Sequence, residues 1–396
     1  MRPDYSGGSL VNFIASVVEA RGGKPLHAPL KDLRVDGLRE ARNLVLLIVD
    51  GLGDNYMLRR GAGGDGRWSS HGARTGWRAR YRSRRRRASL TSVFPSTTAS
   101  AITTSYTGRT PLEHGLTGWF TYFGEAGCVS AALPFRSRGD HLSLTRRGVN
   151  AEQIYIARSI FEALPVRSVV VTYKDIIDSE YNVRHTRGAE RVAYETLDEL
   201  VSHIEAAVKS SDERKFVYAY WPLYDMISHR FGAESAQAFA EFEKIDGAFG
   251  RLVARLAGTH STIIVTADHG FIDVAPEETF ELPPSLASML RFPLCGERRV
   301  AYCHVHDASA FSAKAQDWLD GRADIVPSAT LVEQGWFGPG TPHPRLAERI
   351  GDVAIVMRER YTLKDWTPGE SRHLHIGNHG GTSEDEMLIP LILEET

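Results

Sequence analysis

Seven side chains that could bind a metal ion or act as a nucleophile stand out in the sequence: Asp50, Thr98, Asp225, His229, Asp268, His269 and His379. Singly, each has an ordinary explanation, because aspartates often cap helices and histidines often make structural hydrogen bonds. As a set they supply three carboxylates, three imidazoles and one hydroxyl, which are the mixed oxygen and nitrogen ligands that zinc prefers. The set therefore indicates a divalent-metal site beside a reactive hydroxyl.

The spacing of these residues predicts that they meet at one edge of a sheet. Asp225 and His229 lie four residues apart in WPLYDMISHRFG, so a helix there would bring both side chains to one face. Asp50 directly follows the run NLVLLIV, and Asp268 and His269 follow STIIVTA. Such short, continuous apolar runs are typical of strands buried on both faces of a parallel sheet. Ligands bind beyond the carboxyl ends of these strands, where the candidate residues lie.

The elements that must position these residues follow from the apolar patterning. Strands are predicted at 43–51, 167–173, 215–221 and 261–270, and helices at 9–20, 188–209 and 234–257. Alternation of buried strands with long helices is typical of an α/β fold, so we predict a mostly parallel central sheet flanked by helices.

One part of the chain departs from this alternation. Residues 276–350 contain several prolines and glycines, as in GPGTPHP, and their periodicity is weak. We interpret 276–350 as an inserted cap subdomain, and residues 1–275 together with 351–396 as the catalytic α/β core.

Composition and charge bear on which partners the protein binds and on where it is located. The formal net charge of -2 gives no overall bias towards polyanions, so we do not expect a nucleic-acid partner. The three cysteines are far apart and indicate no disulfide framework. No signal-peptide layout precedes the core, and no apolar run reaches the length that spans a bilayer. We therefore expect a cytoplasmic protein that does not bind membranes.

A run of arginines is the most unusual local feature of the chain. A solvated loop is the favoured interpretation because runs of charge are usually exposed, and a polyanion-binding patch is the alternative. The run consists of Arg74, Arg78, Arg80, Arg82, Arg84, Arg85, Arg86 and Arg87.

The order of short motifs along the chain resembles that of the alkaline phosphatase superfamily. IVDG comes first, followed by FPSTT, TG at 107–108 and HG at 114–115. The pair Asp225 and His229 comes next, then ADHG and finally NHGG. The similarity is greatest to the nucleotide pyrophosphatase/phosphodiesterase branch, also called type I phosphodiesterases, and it spans residues 44–275 and 375–392.

This resemblance implies a fold, a metal content and a role for each candidate. The fold would be an alkaline-phosphatase-like three-layer sandwich, and the cofactors would be two divalent metal ions, with zinc favoured and manganese the alternative. The ligands of the metal ion nearest the nucleophile would be Asp50, Thr98, Asp268 and His269. The ligands of the second would be Asp225, His229 and His379. Thr98 would be the nucleophile, with Thr97 as its competitor, and His114 would be structural.

The expected function is hydrolysis of a phosphodiester or nucleotide pyrophosphate through a phosphothreonine intermediate. Its substrate would be a small phosphorylated molecule such as a nucleotide. Phosphodiesterases of this branch carry Asn three residues after the nucleophile, where this chain has Ala101, so preference for diesters over monoesters stays open. A phosphomonoesterase of the same superfamily is the alternative enzyme. A polyanion-binding protein on this fold, using the arginine run, is the alternative of another class.

Overall fold

The computed structural model describes residues 1–33, 35–61, 87–370 and 372–396. The strands are β1 (Asn43–Val49), β2 (Arg87–Thr91), β3 (Phe120–Phe123), β4 (Cys128–Ala131), β5 (Arg136–Ser137), β6 (Arg167–Tyr173), β7 (Glu190–Tyr194), β8 (Lys215–Trp221), β9 (Ser261–Thr266), β10 (Ile272–Asp273), β11 (Thr279–Glu281), β12 (Cys295–Gly296), β13 (Val300–Cys303), β14 (Ala323–Pro327), β15 (Val353–Met357), β16 (Thr362–Lys364), β17 (Gly377–Asn378) and β18 (Leu388–Glu395). The arginine run, apart from the backbone of Arg87, lies outside the described residues.

Helices connect most of these strands. The α-helices are α1 (Leu10–Ala20), α2 (Val35–Glu40), α3 (Asp54–Gly61), α4 (Thr98–Thr107), α5 (Pro111–His114), α6 (Ala151–Ile154), α7 (Glu180–His185), α8 (Leu197–Lys209), α9 (Leu223–Phe231), α10 (Ala236–Arg255), α11 (Pro284–Ala287), α12 (Ala308–Leu319), α13 (Ser328–Glu333), α14 (Leu346–Ile350) and α15 (Glu384–Met387). Among the described residues, none of these helices is both long and apolar enough to cross a bilayer.

A seven-stranded sheet forms the centre of the molecule, in the order β2-β18-β9-β1-β8-β6-β7. β1 pairs in parallel with β8 and β9, and β6 pairs in parallel with β8 and β7. β18 runs antiparallel to both of its neighbours. Every residue of β1, β8 and β9 is buried, which explains their continuous apolar sequences. The predicted mostly parallel sheet flanked by helices is confirmed.

The register of the sheet aligns the strand ends that carry the candidate residues. Val49 pairs with Trp221, and Ile48 pairs with Thr266, so β1, β8 and β9 end at the same level. The segments that follow these three strands therefore start side by side at one edge. This alignment brings the residue after β1, the helix after β8 and the turn after β9 into one place.

The predicted helix at 188–209 is correct only in its second half. Residues Glu190–Tyr194 form β7, the edge strand beside β6, and the helix begins at Leu197. β7 exposes most of its side chains, so its polar residues gave the sequence a helix-like pattern. The helix starts where Thr196 and Glu199 form a capping box.

A second seven-stranded sheet, in the order β14-β15-β13-β12-β3-β4-β5, covers one end of the core. Its pairings are antiparallel, including the pair Gly296 and Phe120 that joins β12 to β3. The sheet therefore combines strands of the segment 120–137 with strands of the segment 276–357. The domain boundaries at 276 and 350 stay a prediction. The strands of the proposed insertion do not form a sheet of their own but share one with an earlier part of the chain.

Candidate active site

The structure brings all seven candidate residues together at the carboxyl edge of the central sheet. Asp50 follows β1, and Thr98 is the first residue of α4. Asp225 and His229 lie on α9, which follows β8. The remaining candidates, Asp268, His269 and His379, lie in the loops after β9 and β17. All seven are buried or partly buried.

A first group of donors surrounds the Thr98 hydroxyl. Its Oγ1 lies 3.1 Å from Nε2 of His269 and 3.4 Å from Oδ1 of Asp50. The same Nε2 lies 3.3 Å from Oδ1 of Asp50 and 3.5 Å from Oδ2 of Asp268. Side chains of Asp50, Asp268 and His269 offer ligand atoms that all lie within 4.8 Å of one another.

A second group forms around Asp225. Its Oδ1 lies 3.5 Å from Nε2 of His229 and 3.6 Å from Nε2 of His379. The two imidazole Nε2 atoms are 3.2 Å apart. Oδ1 of Asp225 also lies 3.9 Å from Nε2 of His269, so the two groups adjoin. The i, i+4 spacing on α9 places Asp225 and His229 side by side, as the sequence predicted.

Hydrogen bonds fix the tautomers of two of these histidines. Nδ1 of His229 lies 2.9 Å from the carbonyl of Gly377, and Nδ1 of His269 lies 3.1 Å from the carbonyl of Gly270. A carbonyl only accepts hydrogen bonds, so each Nδ1 carries the proton and each Nε2 of the neutral ring presents a lone pair. These lone pairs point towards carboxylate oxygens, which also carry only lone pairs. A cation between them resolves this clash.

Two carboxylate oxygens of the site also lack a hydrogen-bond partner among the described residues. Oδ1 of Asp225 and Oδ2 of Asp268 are buried and accept no hydrogen bond from the described residues. Buried polar atoms are almost always satisfied, so an unpaired carboxylate oxygen indicates a ligand. The donor set therefore fits divalent metal ions.

Burial makes the negative charges of the site unfavourable without a counter-ion. It raises the pKa of Asp50 to about 6, although hydrogen bonds from Tyr220 and Thr98 oppose the shift. Burial, with the charge of Asp50, raises the pKa of Asp268 to about 8. Burial and the same charge hold the pKa of Asp225 well above its usual range. Bound cations would reverse these shifts, because they stabilise the ionised carboxylates.

The backbone conformation directly after Asp50 requires glycine at position 51. Gly51 has φ 76°, and a Cβ atom there would lie 2.3 Å from the ring of Phe271. Its N–H donates to Oδ1 of Asp268 at 2.9 Å. Gly51 thereby ties the ends of β1 and β9 together.

A buried ion pair supports the loop that carries His379. Nε of Arg299 lies 3.1 Å from Oε1 of Glu386, and both side chains are buried. Oε1 of Glu386 accepts the N–H of Gly381 at 2.7 Å. The pair therefore joins the second sheet to the loop that follows His379.

Two residues flank the candidate nucleophile without belonging to the ligand set. The Thr97 hydroxyl donates to Oε1 of Glu297 at 2.6 Å, and the N–H of Trp119 donates to the same oxygen at 2.6 Å. The Thr97 hydroxyl is therefore already engaged by a carboxylate outside the ligand set. Burial raises the pKa of Glu297 to about 7, against these hydrogen bonds. The sequence reasoning missed Glu297, whose signal was the charged stretch GERR between apolar segments.

Two other residues named in the sequence analysis, His114 and Ala101, lie outside the two donor groups. His114 accepts the N–H of Leu116 at 3.1 Å and lies 3.2 Å from the Thr104 hydroxyl, which is a structural role. Ala101 lies in the hydrophobic core at 0% exposure. Ala101 therefore offers no side-chain hydrogen-bond donor to a phosphoryl oxygen, and the preference for diesters over monoesters stays a prediction.

A cavity of about 390 Å³ opens from the site towards the second sheet. Thr98, Asp225 and His379 line its inner end. Arg298 and Lys364 line its outer wall, and both were missed from the sequence. The cavity is large enough to hold a small phosphorylated ligand beyond the reactive hydroxyl.

Comparison with solved structures shows the same fold. Murine ectonucleotide pyrophosphatase/phosphodiesterase 5 has a TM-score of 0.63 at 15% identity, covering 88% of this chain and 87% of that chain. An inactive form of that murine protein in complex with AMP has a TM-score of 0.60 at 15% identity, with coverage of 88% and 87%. Phosphonoacetate hydrolase from Sinorhizobium meliloti 1021, in complex with phosphonoformate, has a TM-score of 0.64 at 17% identity, with coverage of 89% and 90%.

Comparison with curated proteins and with protein-family models shows which family the chain belongs to. No match was found among the curated proteins. A family model described as type I phosphodiesterase / nucleotide pyrophosphatase matches residues 44–382, most of the chain. The resemblance drawn from the motifs is thereby confirmed, and the chain belongs to the type I phosphodiesterase/nucleotide pyrophosphatase family of hydrolases.

Proposed function

We propose that the chain is a metal-dependent hydrolase that cleaves phosphodiester or nucleotide pyrophosphate bonds through a phosphothreonine on Thr98. The observation that carries the proposal is the position of the Thr98 hydroxyl, 3.1 Å from Nε2 of His269 and beside two groups of converging donors. A small phosphorylated molecule, such as a nucleotide, is the proposed substrate.

The two groups of donors would hold two divalent metal ions. One would be held by Asp50, Thr98, Asp268 and His269, and the other by Asp225, His229 and His379. Imidazole and carboxylate ligands favour zinc, and manganese is the alternative. When bound, such ions lower the pKa of the hydroxyl and neutralise charge that develops on the phosphoryl group.

The proposed reaction consists of two successive displacements at phosphorus. Oγ1 of Thr98 attacks phosphorus while its proton passes to one of the two acceptors beside it, Nε2 of His269 at 3.1 Å or Oδ1 of Asp50 at 3.4 Å, and the bond to the leaving oxygen breaks. The leaving group departs into the cavity. Water then cleaves the bond between phosphorus and Oγ1, which restores Thr98 and releases the phosphorylated product. The first turn of α4 offers backbone N–H groups to a phosphoryl oxygen throughout.

The charge beside the nucleophile favours a diester over a monoester. Glu297 lines the cavity and is hydrogen-bonded to the residue before Thr98. The ionised form of Glu297 repels a monoester dianion more strongly than a diester monoanion, and because its pKa is about 7 this repulsion increases as the pH rises through neutrality. Arg138, which also lines the cavity, is already paired with Asp365 at 2.8 Å and Glu370 at 3.0 Å and so offers little free charge to a dianion.

A comparison of two aryl phosphates tests this preference. We expect kcat/KM for bis-p-nitrophenyl phosphate to exceed that for p-nitrophenyl phosphate by at least about tenfold, or about 1.4 kcal/mol in the transition state. Both substrates release p-nitrophenol, so the leaving group is matched. A tenfold advantage for the monoester would replace the diesterase assignment with that of a phosphomonoesterase.

A further inference from the structure

The cavity beyond the nucleophile has a second end that the cleavage reaction itself does not use. The inner end is lined by Thr98 and His379, whereas the outer wall carries Arg138, Arg298 and Lys364. Arg138 directly follows β5, Arg298 lies in the turn after β12, and Lys364 is the last residue of β16. Their charge is therefore available to a part of the substrate beyond the scissile phosphoryl group.

Two of these three cations already have carboxylate partners. Arg138 is paired with Asp365 and Glu370, and one of its amino groups also donates to the carbonyl of Leu294 at 2.9 Å. Nζ of Lys364 lies 3.5 Å from Oε2 of Glu370. Both side chains are thus largely neutralised within the protein.

Arg298 differs from the other two. One of its amino groups donates to the carbonyl of His373 at 3.2 Å, and among the described residues no carboxylate oxygen lies within 4.0 Å of its guanidinium. Burial lowers the pKa of Arg298 to about 10, although the charges of Glu297 and Glu370 oppose the shift. A guanidinium that is held partly out of water without an ion-pair partner is unfavourable until an anion binds it.

The position of Arg298 ties this charge to the reactive centre. It directly follows Glu297, which accepts the hydroxyl of Thr97 next to the nucleophile. Arg298 and Thr98 line the same cavity, so a ligand bound at Thr98 that extends along the cavity can contact the guanidinium.

We propose that Arg298 binds a second anionic group of the substrate, so that the natural substrate carries a phosphate or a carboxylate beyond the scissile phosphoryl group. This inference rests on the proposed function and narrows its substrate class. A planar guanidinium donates two parallel hydrogen bonds to either group, which makes both groups suitable. Arg298 is a specificity-determining residue in this account and takes no part in bond cleavage.

Calorimetric titration of the zinc-loaded Thr98→Ala chain tests the proposal without turnover. The ligands are methylphosphonate, phosphonoacetate and methylenediphosphonate, of which the last two add a carboxylate or a second phosphonate to the first. We expect the second anionic group to tighten binding by about tenfold or more, as for a charge-assisted bidentate contact. Adding Arg298→Gln should remove that gain.

Two further variants serve as controls. Arg298→Lys keeps the charge and should retain part of the gain. Arg291→Gln removes an exposed arginine that pairs with Asp352 at 2.6 Å, and it should leave the gain unchanged. A gain confined to phosphonoacetate or to methylenediphosphonate supports the proposal and identifies the group as carboxylate or phosphate.

Results that contradict the role of Arg298 can be distinguished from results that contradict the proposed hydrolase function. A gain that persists in the folded Arg298→Gln protein, or no gain in either ligand while methylphosphonate binds, overturns the role of Arg298 and leaves the proposed function standing. Failure of methylphosphonate to bind the zinc-loaded chain, together with no phosphoester hydrolysis by the wild type, overturns both.

Discussion

Replacing Thr98 with alanine is expected to lower kcat for bis-p-nitrophenyl phosphate by on the order of 10⁴-fold or more. The hydroxyl at the start of α4 is the group that the two sets of donors surround, and alanine cannot form the covalent intermediate. Steady-state kinetics on the purified variant, with circular dichroism to show that it folds, gives the measurement.

Thr97→Ala is the matched control for this prediction. The Thr97 hydroxyl donates to Glu297, which is not one of the seven candidate residues, so its loss should leave substantial activity. We expect a loss of no more than about tenfold, the effect of one hydrogen bond beside the site. An inactive Thr97 variant with an active Thr98 variant would place the nucleophile one residue earlier.

Removal of metal is expected to abolish turnover, with a loss of at least about 10³-fold that added zinc or manganese restores. Without cations, the lone pairs of His229 and His269 face carboxylate oxygens, and the hydroxyl of Thr98 keeps its ordinary high pKa. Dialysis against a chelator followed by metal titration measures the effect. Full activity in protein that elemental analysis shows to be free of metal would contradict it.

The number of metal ions bound per chain is a second expected result. Elemental analysis of the reconstituted chain should find about two divalent ions per chain. Asp225→Ala removes the carboxylate shared by His229 and His379, and about one ion should remain. Asp212→Ala, which removes a carboxylate on the surface, should retain about two.

The mostly parallel character of the central sheet and the meeting of the seven candidates at its edge could be predicted from the sequence. β1, β8 and β9 are buried on both faces, so their apolar runs are continuous and their ends are marked by the first polar residue. Because parallel strands share a carboxyl edge, the residues after them had to meet. Asp50 and Asp268 are the clearest examples.

The outer wall of the cavity could not be predicted in this way. Arg298 and Lys364 reach the site because β12 pairs with β3, joining Gly296 to Phe120 across a long stretch of chain. Antiparallel pairing over such a distance depends on tertiary packing and leaves no local periodicity in the sequence. The same limit explains β7, whose exposed edge position concealed a strand within a polar segment.

The stereochemical course at phosphorus tests the central claim most directly. The account requires two in-line displacements, the first by Oγ1 of Thr98 and the second by water, and each inverts the configuration at phosphorus. Hydrolysis of a chiral aryl phosphorothioate diester in ¹⁸O-labelled water should therefore proceed with overall retention of configuration. Overall inversion would show that water attacks phosphorus directly, which contradicts a covalent intermediate on Thr98.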